Sequence, residues 1–137
     1  MPINEKIMHN EDLSIYPENI VALAKNPKHF GRMNDPTGSA FIKGPCGDEM
    51  EFYLIIENGI IEEAKFYTEG CISTLVCGEM AAQQAEGKSI EQALAISPKQ
   101  IIELLGELPQ NRSHCSILAV STLYRAIADY LLKYEST

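Results

Sequence analysis

At 137 residues the chain suits one domain with its own hydrophobic core. Eleven basic against nineteen acidic residues give a formal net charge of −8 with no basic block, which argues against nucleic acid as a ligand, because phosphates need a positive face. There is no unbroken apolar run of the ~18 residues that mark a spanning helix, so no membrane association is expected.

Residues 1–15 are acidic and polar and lack the apolar stretch of a signal peptide. They read as a flexible leader to a single domain over residues 16–137, with a cytoplasmic location as the default. The segment PENIVALAK, with an early proline and apolar Ile20, Val21 and Leu23, predicts a short helix. Residues 26–38 are crowded with Pro, Gly, Asn and Asp and read as a connecting loop. His29 falls in this loop and His9 in the leader, and both are expected to be solvated. SAFIK (residues 39–43) predicts a first strand running into the turn GPCGD (residues 44–48).

The clearest local signal is MEFYLIIE-NG-IIEEAKFYTE. Met50, Phe52, Leu54 and Ile56 share one face of a strand, and Ala64 and Phe66 share one face of the next. Asn58-Gly59 between them is the pair favoured in a type I′ hairpin turn, where both positions need positive φ. Glu62 and Glu63 read as a solvated strand end. After the hairpin the apolar period changes from ~2 to ~3.6. Residues 72–86 predict a helix closed by Gly87. Ser89 with Gln92 and Ser97 with Gln100 each match a capping box, the second with Pro98 at the first helical position, and the helix it opens ends near Gly106. Residues 112–134 place Val120, Leu123, Tyr124, Ile127, Tyr130, Leu131 and Tyr134 on one stripe of a long amphipathic helix. The fold class is therefore α+β: a three-stranded antiparallel sheet with helices packed on one face and a long C-terminal helix.

Four cysteines in a reducing compartment point toward metal binding or thiol chemistry and away from disulfides. Cys46 sits in the glycine-flanked turn, Cys71 where the hairpin gives way to a helix, and Cys115 after His114 at the start of the long helix. Two of these positions are helix N-termini, where free N–H groups and the macrodipole favour a thiolate. Asp48 and His114 add an oxygen and a nitrogen donor next to two of the sulfurs. Three sulfurs with a carboxylate or an imidazole make a tetrahedral set for Zn²⁺ or for the iron of an iron–sulfur cluster. No CxxC pair is present, so the donors come singly from separate loops and the fold must assemble them. Cys77 lies about 240° around the helix from Cys71 and reads as a packed core residue.

GPCGDEMEF, FYTEGC and LPQNRSHCSILA resemble the three signature stretches of the IscU/NifU N-terminal family of iron–sulfur cluster assembly scaffolds. The similarity runs from about Tyr16 to Tyr130. SufU-type relatives carry a long insertion between the second and third cysteines and lack the histidine, so the chain resembles the IscU-like branch. The resemblance implies a small α+β domain that takes sulfur from a cysteine desulfurase, builds a [2Fe–2S] cluster and passes it to acceptor apoproteins, with Zn²⁺ able to occupy the same site. Carried over by position, Cys46, Cys71 and Cys115 would be cluster ligands and Cys115 the persulfide acceptor. His114 would be a fourth or alternating ligand, and Asp48 a weak oxygen ligand or base that keeps the cluster labile. The stretch LPQNR stands where the family carries LPPVK, so the resemblance does not extend to an Hsp70-type chaperone as partner there.

This is a carrier function and not an enzyme's. Its alternative is a zinc-dependent sulfurtransferase that accepts persulfide from a cysteine desulfurase; His114 and the missing insertion count against it. A thiol hydrolase using Cys115 is disfavoured, since consecutive helical residues point about 100° apart and His114 is poorly placed as its base.

Overall fold

A computed structural model describes residues 13–45, 47–106, 108 and 114–134. Its centre is the hairpin written in the alternation of residues 49–67. Strand β2 (Glu49–Glu57) buries Met50, Phe52, Leu54 and Ile56 on one face, and β3 (Ile60–Tyr67) buries Ile61, Ala64 and Phe66 on the same side. Asn58 and Gly59 adopt φ of 54° and 75°, the left-handed pair of a type I′ turn. Ile61 and Ala64 are three apart and a regular strand would place them on opposite faces. A register shift between Ile55 and Ile56 absorbs the extra residue: Ile55 pairs with Glu63 and Ile56 with Ile61. Both core residues then face inward while Glu62 and Glu63 stay exposed. Strand β1 (Gly38–Lys43) completes the antiparallel sheet in the order β1-β2-β3.

Helix α1 (Glu18–Lys25) precedes the sheet. Helices α2 (Ile72–Ala85), α3 (Ile90–Leu94), α4 (Pro98–Leu105) and α5 (His114–Tyr134) follow it. Helix α5 lies over β1 and β2, α2 lies over β3, and the two helices pack on each other, so the helices cover one sheet face. Helix α2 is buried almost all round, including polar Ser73, Thr74 and Glu79. It approaches the sheet closely because Gly78 has no side chain: a Cβ there would stand 2.5 Å from the Phe66 ring. Ser89 forms the full capping box with Gln92, whereas Ser97 caps α4 only through the Gln100 N–H, with Pro98 at the first helical position. Gly87 takes φ of 85° beyond the end of α2, as a residue closing a helix does.

Helix α5 contains an 18-residue window of mean hydropathy 1.3 and is long and apolar enough to cross a membrane by length and composition alone, a property hidden by the charges that interrupt its apolar runs. Half of it is buried inside the protein, against α2, β1 and β2. Of its expected stripe, Val120, Leu123, Ile127 and Tyr130 are buried. Tyr134 is 59% exposed and instead stacks beside Tyr130, with ring centroids 5.1 Å apart.

His9 lies outside the described residues. His29 does not behave as a solvated loop residue. Its Nδ1 is 2.7 Å from Glu79 Oε2, its Nε2 is 2.9 Å from Glu86 Oε1, and its backbone N–H donates to Glu79 Oε1. Glu79 is completely buried, and Gln83 also donates to it. The loop before β1 is thereby tied to α2, and Phe66 N–H to His29 O and Gly31 N–H to Phe66 O bind the same loop to β3. A charge on a buried helix face is stable only with such partners.

Burial disfavours the charged His29 ring, but hydrogen bonds and charge from Glu79 and Glu86 more than offset it and raise its pKa above the ordinary 6.5. A folded-state pKa above the unfolded one means the contribution is fully present below about 6.5 and lost as pH rises through the folded value. Urea midpoints should therefore fall on passing from pH 6 to alkaline pH, and His29→Gln should flatten that slope. Parallel slopes for the two proteins would refute the assignment.

Candidate metal centre

The turn after β1 is closed by Gly44 N–H to Asp48 O at 2.7 Å and Gly47 N–H to Gly44 O at 3.0 Å. It delivers Asp48 to the start of β2. Cys46, the thiol expected in this turn, lies outside the described residues. Cys71 is the N-cap residue of α2 and half-buried, and Cys115 is the second residue of α5 and 1% exposed. Because α2 and α5 pack on each other, the side-chain ligand atoms of Asp48, Cys71 and Cys115 all lie within 4.8 Å of one another. Asp48 Oδ2 stands 3.8 Å from Cys71 Sγ.

The interaction with Cys115 holds the Cys71 thiol down at about 5, aided by the Thr74 backbone N–H and opposed by burial and the Asp48 charge. The same interaction, together with burial, pushes Cys115 up. The helix-terminus donor to Cys71 is the backbone N–H of Thr74. Cys77 is fully buried in the core, where burial raises its pKa, as its position around the helix implies.

His114 is exposed at the first residue of α5, and its ring nitrogens lie outside the trio of converging donor atoms. It lines an apolar cavity of about 180 Å³ with Ile42, Pro45, Cys115, Ile117 and Leu118. A polar cavity of about 240 Å³ is bordered by Asp48, Glu51, Glu69, Gly70, Tyr67 and Arg32. Two sulfurs and one carboxylate oxygen in this spacing suit a thiophilic cation such as zinc or iron; an oxygen-seeking ion such as magnesium would not select them.

Two positions that shape the centre carried no signal in the sequence. Thr74 lies in the middle of the donor atoms. Gly70 leaves room for the carboxylate: a Cβ there would meet Asp48 Oδ2 at 2.8 Å and Thr74 Cβ at 3.2 Å. Gly70→Ala should push the mobile end of Asp48 aside and weaken Co²⁺ binding by about tenfold while leaving the thermal midpoint nearly unchanged. Unaltered Co²⁺ affinity would show that Asp48 need not sit there. Both positions are invisible locally because their partners, Asp48 and Cys115, are distant in the chain.

The family model described as NifU-like N terminal domain matches residues 15–137. The iron–sulfur cluster assembly scaffold protein IscU 1 of Archaeoglobus fulgidus is 38% identical over 120 residues, covering 87% of this chain and 78% of that protein. The iron–sulfur cluster assembly scaffold protein IscU of Escherichia coli is 37% identical over 126 residues, covering 88% and 98%. In fold, the chain is similar to the crystal structure of a NifU-like protein (N-terminal) from Brucella abortus, with a TM-score of 0.69 and 16% identity over 88% of this chain and 97% of that one. With the three-stranded sheet, the covering helices and the Cys–Asp–Cys convergence all in place, the chain belongs to the NifU-like N-terminal domain family.

Proposed function

We propose that the protein is a scaffold on which an iron–sulfur cluster is assembled from iron and desulfurase-derived sulfur and from which it passes to acceptor apoproteins. The observation that carries this reading is the meeting of Asp48, Cys71 and Cys115 within 4.8 Å. It is supported by relatives whose names say that they are cluster assembly scaffolds. Cys46, Cys71 and Cys115 serve as sulfur ligands of a [2Fe–2S] cluster, Asp48 as a weak oxygen ligand and His114 as an alternating one. Zn²⁺ fits the same donors. His114 before Cys115 and the names of the relatives favour an IscU-like over a SufU-like protein. A cytoplasmic setting and a cysteine desulfurase partner follow from this role.

Cys115 gives desulfurase-derived sulfur a place of arrival. The Cys115 sulfur attacks the outer sulfur of the desulfurase persulfide, and its proton passes to the desulfurase sulfur that leaves. A new S–S bond forms on Cys115 as the old one breaks and the desulfurase thiol departs. The apolar cavity beside Cys115 is the approach for that sulfur.

Anaerobic reconstitution with iron, cysteine and a cysteine desulfurase tests the whole. Sulfide-to-iron charge-transfer bands should grow on this protein and then move to an apo-ferredoxin. A persulfidated protein that holds zinc and shows no iron chromophore would overturn the scaffold reading in favour of a sulfurtransferase. In the same assay Asp48→Ala should slow cluster loss severalfold; an unchanged transfer rate would remove the carboxylate from its role.

A further inference from the structure

One oxygen touches every donor atom of the described trio. Thr74 Oγ1 is 3.3 Å from Cys115 Sγ and 3.6 Å from Cys71 Sγ, and its hydroxyl donates to Asp48 Oδ2 in the shortest of the three contacts. The residue is fully buried, in the first turn of α2, two places after Ile72. A hydroxyl has a single hydrogen, and here that hydrogen goes to the carboxylate.

Asp48 depends on this donor for its position. Among the described contacts its side chain has only two partners, the Thr74 hydroxyl and, at 3.8 Å, the Cys71 sulfur, and sulfur makes only weak hydrogen bonds. The carboxylate also borders the polar cavity, so open space lies beside it into which it can swing. Among the described residues, nothing of comparable strength would keep it beside the sulfurs without Thr74.

We propose that Thr74 is a positioning residue of the metal centre, whose hydroxyl holds the Asp48 carboxylate next to Cys71 and Cys115 so that an incoming thiophilic cation meets donors already assembled. The inference rests on the metal-centre reading and extends it to a residue that acts through Asp48. Loss of such an outer partner commonly weakens metal binding by about 10–100-fold. Valine matches threonine in shape and fits the same buried space, so Thr74→Val removes the hydrogen bond with little change in packing.

The experiment is anaerobic Co²⁺ titration of the wild type, Thr74→Val, Thr74→Ser, Asp48→Ala and the Asp48→Ala/Thr74→Val double variant, followed by absorption. Metal-free thermal unfolding of each protein verifies its fold. Thr74→Val should weaken Co²⁺ about tenfold and shift the ligand-field bands in the direction Asp48→Ala shifts them. Thr74→Ser, which keeps the hydroxyl, should restore wild-type affinity and spectrum. In the double variant the valine should add little, because the group it positions is gone. Wild-type affinity and bands in Thr74→Val, or a full additional loss in the double variant, would overturn the role of Thr74 while leaving the metal centre standing. A wild-type protein with no thiolate-to-cobalt charge transfer would overturn the metal-centre reading and the role of Thr74 with it.

Discussion

Replacing Cys71 by serine is expected to abolish the iron–sulfur chromophore in reconstitution and to weaken Co²⁺ by more than about 100-fold, beyond the range seen when only an outer partner is lost. Cys71 occupies the pivotal place in the centre: its sulfur contacts Asp48 Oδ2 at 3.8 Å and Thr74 Oγ1 at 3.6 Å and lies within 4.8 Å of the Cys115 sulfur. It is also the member of the thiol pair whose pKa is drawn down, to about 5, which favours the metal-binding thiolate form. A serine hydroxyl is a harder and far less acidic donor, so it replaces neither the softness nor the charge. Cys77→Ser supplies the contrast. That residue is fully buried, away from the converging donors, and its substitution should lower thermal stability while leaving the Co²⁺ spectrum unaltered. Retention of a normal cluster by Cys71→Ser would remove the thiolate from the centre.

The largest effect on stability is expected from Phe66→Ala, at about 3–5 kcal/mol, a substantial share of the ~5–15 kcal/mol that holds a domain together. Phe66 is completely buried on β3, and its ring meets Phe30 edge-on at 5.4 Å and Phe52 at 6.3 Å between centroids. The face of α2 that covers it is Gly78, which has no side chain to collapse into the vacated space. The cavity would therefore persist, which is the condition under which such substitutions cost most. Urea unfolding of metal-free protein gives the number directly. A loss below about 1.5 kcal/mol, typical of well-tolerated hydrophobic exchanges, would mean that α2 and the loop at His29 can close over the gap.

How much of this was readable from the chain follows the distance over which each feature is determined. The hairpin was legible because its signals are local: alternation in residues 49–57 and 60–67, with Asn58-Gly59 between them. Helix ends at Gly87 and Gly106 were legible for the same reason. The register shift was not, since Glu62 and Glu63 suit an exposed strand with or without it. Asp48, Cys71 and Cys115 could be singled out by donor type and by resemblance, although only the packing of α2 on α5 brings them together. Glu79 and Thr74 are polar residues that periodicity would assign to a surface. Their burial is decided by His29, fifty positions away, and by Asp48 and Cys115, twenty-six and forty-one positions away. Such partners have no signature in a local window.

The wide separation of these donors along the chain also links cargo to chain integrity. Cys71 and Asp48 are 23 residues apart, and the centre gains its second described sulfur only when α5 has docked on α2. An incompletely folded chain offers single thiols at unrelated positions and forgoes the chelate advantage of a preassembled set. Metal or cluster is thus retained chiefly by molecules whose core is complete, and its binding energy in turn favours that state by mass action. Loading doubles as an inspection of the fold: a chain that has lost its core loses its cargo.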